Sequence, residues 1–182
     1  MAVLVFVALG NGLTAQTAGT YAFAATTGQS LETMPTETNL LVYTASPLVN
    51  DDNASAVTGI GFTFNFNGVN YTQFSVNANG LMRLGATAVT TAFSNGTATS
   101  TTAWFNSSAN TPIIAPYWDD LALGSAAPGG KVTYALTGSA PNRKLVVKWF
   151  VTVPRVLANA PNATFQVVLE ETANTIKYIY GS

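Results

Sequence analysis

Cysteine and histidine are both absent from this sequence of 182 residues. Without cysteine there are no disulfides, no thiolate nucleophile and no thiolate-ligated metal. Without histidine the usual general base near neutral pH and the commonest metal ligand are missing. Charge is scarce as well: Asp, Glu, Lys and Arg make up 8% of the chain, against roughly 25% in a typical soluble domain. Seven basic and eight acidic residues leave a net charge of -1. No basic patch is available for phosphate contacts, which argues against nucleic-acid binding. No run of like charge forms an acidic tail or a polybasic membrane anchor, and no apolar run is long enough to span a membrane. Helical periodicity is missing too, since no segment holds a 3.6-residue period for three turns.

These absences leave Asp, Glu, Lys, Tyr and Ser to carry any catalysis. The acidic residues are Glu32, Glu37 and three adjacent pairs, Asp51-Asp52, Asp119-Asp120 and Glu170-Glu171. A glycosidase needs two carboxylates across a cleft, whereas neighbours on a strand point to opposite faces. The sequence therefore reads as non-catalytic and in need of no cofactor, calcium being the one ion to consider.

What the chain does contain is 48% hydrophobic and 11% aromatic residues, enough for a packed core in one domain. Its polar surface has to come from Thr, Ser, Asn, Gln and Gly, as on many secreted β-proteins. Ala2 to Leu9 is an apolar run that Gly10, Asn11 and Gly12 break, with Leu13-Thr14-Ala15-Gln16 in the place of a cleavage site. Residues 1–16 thus read as the remnant of a secretory signal peptide lacking its charged start. The alternative is a hydrophobic strand of the domain itself.

Strand signals dominate thereafter. Ile60, Phe62, Phe64 and Phe66 alternate with Gly61, Thr63 and Asn65, the period of a half-buried strand. Asn67-Gly68 follows, and a two-residue turn there pairs Phe66 with Val69 and Phe64 with Tyr71. The apolar phase then slips, which predicts a bulge or bend between Tyr71 and Phe74. At Ala78-Asn79-Gly80 a three-residue loop with left-handed Gly80 sets Val76 opposite Met82 and Phe74 opposite Leu84, the register that buries the apolar set. Residues 86–111 form a long polar loop. Pro112 to Trp118 reads as a bent or edge strand because of its two prolines. Val132, Tyr134 and Leu136 alternate next. So do Leu145, Val147, Trp149, Val151 and Val153, then Phe165, Val167 and Leu169, then Ile176, Tyr178 and Tyr180. The expected fold is all-β: a single antiparallel β-sandwich, jelly-roll-like, with long polar loops.

Two features have a functional reading. Trp104 and Phe105, set in the polar loop, are ligand-binding candidates for stacking on a sugar; the competing reading tucks them into the edge of the core. Asp119 and Asp120 are candidate calcium ligands, because hard cations want several carboxylate and carbonyl oxygens. The competing reading is a turn whose carboxylates accept backbone N–H bonds. Trp118 and Trp149 are expected in the core.

Several motifs in order resemble the extracellular nidogen-like (NIDO) domain. They are Ala115-Pro116-Tyr117-Trp118 with Asp120, then Val146-Val147 with Trp149, then Thr164-Phe165-Gln166 with Leu169, then Tyr178, Tyr180 and Gly181. Phe64 to Tyr71 and Val76 to Gly80 match the upstream pieces. The likeness runs from about Thr58 to the C-terminus, and with residues 1–16 set aside as the signal remnant the module is expected to be residues 17–182. Ala15-Gln16, Tyr21, Phe23 and Gly28 are similar to the opening of β-modules in large secreted bacterial surface proteins, many exported by the type IX route. The resemblance implies an extracellular or cell-surface adhesion and interaction module. Its partners would be other extracellular proteins or glycans, or further copies of itself. A structural subunit of a filament or surface layer and a carbohydrate-binding module of a secreted enzyme are the alternatives. The resemblance supplies no catalytic residues.

Overall fold

The computed structural model describes residues 21–44, 50–93, 111–124, 129–153, 155 and 160–181. The expectations for residues 1–16 and for Trp104 and Phe105 lie outside them. The described strands are β1 (Thr38–Val42), β2 (Thr58–Phe66), β3 (Val69–Val76), β4 (Met82–Leu84), β5 (Ile113–Ile114), β6 (Lys131–Thr137), β7 (Lys144–Val151), β8 (Ala163–Glu170) and β9 (Ile176–Tyr180). They form a five-stranded sheet, β1-β6-β7-β8-β9, and a four-stranded sheet, β2-β3-β4-β5, both antiparallel. The β-sandwich expected from the strand pattern is present. Neighbouring strands follow one another in sequence, except that β1 lies beside β6, a simpler connectivity than the interleaved strands of a jelly roll.

The core lies between the sheets. Phe64, Phe74, Val76, Met82 and Leu84 from one meet Val132, Leu145, Val147, Trp149, Phe165, Val167 and Leu169 from the other, all buried. Side chains of this size contribute about 1.5–3 kcal/mol each when fully buried. Trp149 stacks on Phe165 with ring centroids 5.2 Å apart. Its indole N–H donates to the Asn77 carbonyl at 2.9 Å, so the largest core residue also ties the sheets together.

The first hairpin turns at Asn67 (φ 53) and Gly68 (φ 79), and Phe66 faces Val69 while Phe64 faces Tyr71. The slip expected between Tyr71 and Phe74 occurs at that level, but the extra residues belong to β2. Phe64 faces Tyr71 and Gly59 faces Gln73, so β2 takes the longer path. Gly61 permits it with φ 92, and a Cβ there would lie 2.7 Å from Leu136. The second turn has the expected register, Val76 to Met82 and Phe74 to Leu84, with Gly80 at φ 82. β5 is a short edge strand, as the flanking Pro112 and Pro116 imply. Trp118 lies beyond it, half-buried rather than in the core, with its N–H on the Ala92 carbonyl at 3.0 Å.

Two things were not legible. β1 has no clean alternation, because its register breaks between Asn39 and Leu41; Leu41 is buried and Val42 exposed. Val146 and Val168, on the outer face of the five-stranded sheet, are also fully buried. The segment 31–37 covers that face. The Gln166 amide brackets the Glu32 backbone, accepting from its N–H at 2.7 Å and donating to its carbonyl at 3.0 Å. Lys144 reaches Glu32 at 2.7 Å, and Lys131 and Lys148 both pair with Glu37. No helix among the described residues is long and apolar enough to cross a membrane.

Candidate functional site

The motif segments, far apart in sequence, converge on one end of the sandwich. Asn77 and Asn79 are both fully buried. The Asn77 amide donates to the carbonyls of Thr90 and Ala92, and its oxygen accepts from the Leu81 N–H at 2.8 Å. The Asn79 amide donates to Asp52 Oδ1 at 2.9 Å and to the Thr91 carbonyl, and its oxygen accepts from the Leu121 N–H at 2.8 Å. Gly80 packs directly against the carbonyl of Tyr117; a Cβ would lie 1.9 Å from that oxygen. Tyr180 donates its hydroxyl to the carbonyl of Pro116 at 2.6 Å. Asn77, Asn79 and Gly80 are building material: the polar atoms of the two asparagines are consumed inside the protein.

An acidic cluster sits beside them. Asp51, Asp52 and Asp120 each present a carboxylate oxygen within 4.8 Å of the others. Asp119 is not one of them, for it accepts the N–H of Asp120 at 2.8 Å, the turn role weighed against calcium. The adjacent pair Asp51-Asp52 does converge, because it lies in a bend and not in a strand, where the two-face rule does not hold. Sequence reasoning missed both this convergence and Arg155, which completes the cluster. Its guanidinium bonds Asp51 Oδ2 at 2.6 Å and lies 3.4 Å from Asp120 Oδ2. Burial pushes the Asp120 carboxyl up, Arg155 opposes that, and Asp51, Asp52 and Asp119 add to the rise. One oxygen, Asp51 Oδ1, is buried without a donor. Three carboxylates are a suitable donor set for calcium, but that ion takes six to eight oxygens. Here Arg155 already supplies the positive charge, and the Asn79 carbonyl oxygen is committed to Leu121. The described geometry is that of an ion-paired loop clasp.

The second feature is an aromatic face. Tyr117, Tyr178 and Tyr180 are 40%, 43% and 55% exposed, unusual for three large rings that lie together. Tyr178 and Tyr180 project from the same face of β9, and β9 is the last of the described strands in its sheet. Tyr180 faces Phe165 across the β8–β9 ladder, and the Tyr117 ring lies 5.8 Å from that of Phe165. The contact with Phe165 and the Tyr180–Pro116 bond hold two of the rings in place. The alternation Ile176, Tyr178, Tyr180 was the available signal, but nothing in it shows that the two tyrosine rings stay exposed while Ile176 packs on the core.

A family model described as NIDO related matches residues 20–182. No curated protein and no solved structure matches the chain.

Proposed function

The chain belongs to the NIDO-related family, and from that premise we propose that it is a non-catalytic adhesion and interaction module of an extracellular or cell-surface protein. The observation that carries this reading is the tyrosine face of Tyr117, Tyr178 and Tyr180, solvent-exposed and partly fixed. Rigid aromatic side chains with a polar tip give contact area at small entropic cost, which is why they recur at interfaces. The ionisable groups support the absence of catalysis. Glu32, Glu37, Glu170 and Glu171 are held in ion pairs with Lys144, Lys131, Lys148, Lys177 and Arg143, and Asp51 and Asp120 with Arg155. The module needs no cofactor on this reading. The signal-like start and the opening motif support export from a bacterium, by the type IX route, to the cell surface.

The test is adhesion of the labelled domain to immobilised extracellular matrix proteins and to a glycan array. The triple variant Tyr117→Ser, Tyr178→Ser, Tyr180→Ser is the control. Binding to a protein surface that the triple variant loses supports the reading. Binding confined to glycans transfers the site to the carbohydrate-binding alternative, which exposed rings also suit. Binding to neither class sinks it.

A further inference from the structure

The tyrosine face borders a sheet edge that no strand pairs among the described residues. Gly181 donates its N–H to the Thr164 carbonyl at 2.8 Å, and Glu170 donates to the carbonyl of Thr175 at 3.1 Å. The ladder between these two points is unbroken, Phe165 to Tyr180 through Leu169 to Ile176. Residues in an antiparallel strand direct their N–H and C=O alternately to the two sides. Residues 175, 177, 179 and 181 therefore face β8, and Ile176, Tyr178 and Tyr180 direct theirs outward. No hydrogen bond among the described residues reaches those three backbones.

The other sheet edges are protected by recognisable devices. β5 has two residues and follows Pro112. β2 is bulged, its Gly61 carbonyl is taken by Arg143 at 2.7 Å, and its Asn65 N–H is taken by Asn174 at 2.9 Å. β1 carries a register break. β9 has no proline and no bulge. Its one charge, Lys177, lies on the outer face and is paired with Glu170 at 2.7 Å.

We propose that the β9 edge binds the β9 edge of a second copy of this chain, antiparallel, about a two-fold axis through Tyr178. The spacing is self-complementary. The outward-facing residues are symmetric about Tyr178, so Tyr178 meets its own counterpart and Ile176 meets Tyr180 in both directions. Three N–H and three C=O groups on each copy are all satisfied in this register, and a shift by two residues leaves some unpaired. Charge is compatible as well. Lys177 falls opposite Ile179 and not opposite another lysine, and each chain carries a net charge of only -1. Side chains of paired residues share a face, so the two Tyr178 rings lie together on the inner face, with Tyr180 and Tyr117 flanking them. A contact made through one short strand edge and a few rings belongs with small, transient interfaces. It is therefore a weak pair, favoured where many copies are held on one surface.

The inference rests on the β9 face being an interaction surface, but the two readings fail separately. A monomer that binds a foreign protein through its tyrosines overturns self-pairing alone. A dimer that adheres to nothing overturns the adhesion reading alone. The decisive experiment is sedimentation from about 10 μM to about 1 mM. The weight-average mass is expected to rise with concentration from 19.0 kDa towards twice that value. Tyr178→Lys and Tyr178→Glu each place a like charge opposite itself at the axis. Each should raise the dissociation constant about tenfold or more, and an equimolar mixture of the two should restore pairing. A single species of 19.0 kDa throughout, or a dimer that both variants keep, overturns the proposal. Hydrogen exchange on the unaltered chain provides a readout that needs no variant. The amides of Ile176, Tyr178 and Tyr180 should gain protection as concentration rises, and unchanged exchange there counts against the pairing.

Discussion

Asn79 shows how a polar residue can be indispensable without touching a ligand. It is fully buried and holds three partners at once: Asp52, Thr91 and the Leu121 N–H. Truncating it strands the Leu121 N–H in the core, and a buried unsatisfied donor costs about 1–3 kcal/mol. Asn79→Ala is expected to lower urea-unfolding stability by about 2–3 kcal/mol, with the denaturant slope unchanged. Gly80, next to it, has two reasons to be glycine. Its φ is 82, and a Cβ would overlap the Tyr117 carbonyl. Left-handed backbone alone costs a non-glycine residue about 1–2 kcal/mol, and overpacking adds about 1–3 kcal/mol. Gly80→Ala should therefore destabilise by about 3 kcal/mol or more, and a melting temperature equal to that of the unmodified chain would contradict the contact. The loop register at this glycine was legible because the apolar set is buried in only one phase. The approach of Tyr117 was not, since it joins residues 37 positions apart in sequence.

Among the elements, legibility followed local periodicity. β2, β6, β7, β8 and β9 announce themselves by alternation, β3 alternates only on either side of its phase slip, and Asn67-Gly68 sets the first hairpin through its two positive φ angles. The bulge was visible as a phase slip but not assignable to a strand, because pairing can absorb extra residues on either side. β1 and its irregular register were hidden. The cover on the outer sheet face was hidden too, because residues 31–37 hold it by side-chain bonds and carry no alternation of their own. Glu37 is the centre of that cover. Burial pushes its carboxyl up, but hydrogen bonds from Lys148, Lys131 and Thr133 outweigh this and bring it from 4.5 down to about 2. A carboxyl lowered on folding stabilises the native state above its unfolded value and loses that contribution as pH falls through the folded value. The unmodified chain should exceed Glu37→Gln in stability by about 2 kcal/mol at pH 7, after discounting for partial exposure. The difference should hold down to about pH 4.5 and disappear by about pH 2. Urea unfolding at pH 7, 4.5 and 2.5 measures it, and a difference that does not change with pH would rule out the ion-pair account.

For the whole molecule, the question is what ties two sheets and their loops into one body, since a sandwich core by itself leaves the ends free. At one end Arg143 pairs with Glu171, donates to the Gly61 carbonyl and lies 5.7 Å over the Phe62 ring, joining the two sheets. At the other, Arg155 joins the loop before β2 to the turn after β5 through Asp51 and Asp120. None of these meetings is encoded in a local pattern: scarce charges were visible in the composition, but their partners lie 28 to 104 positions away. The Arg155 clasp gives the sharpest test of whether its carboxylates serve a metal. With the guanidinium in place, millimolar calcium should leave the melting temperature of the unmodified chain unchanged. A rise would show that Arg155 yields its place and that the carboxylates form a cation site. Arg155→Gln removes the cation and leaves Asp51, Asp52 and Asp120 facing one another, so its melting temperature at pH 7 should fall. The Asp120 carboxyl is already raised by burial and by its acidic neighbours, and losing Arg155 raises it further. A carboxyl raised on folding costs stability while ionised and returns it as pH falls through the folded value. The deficit of Arg155→Gln should accordingly narrow between pH 7 and about pH 4, whereas a deficit from lost packing alone would stay constant across that range.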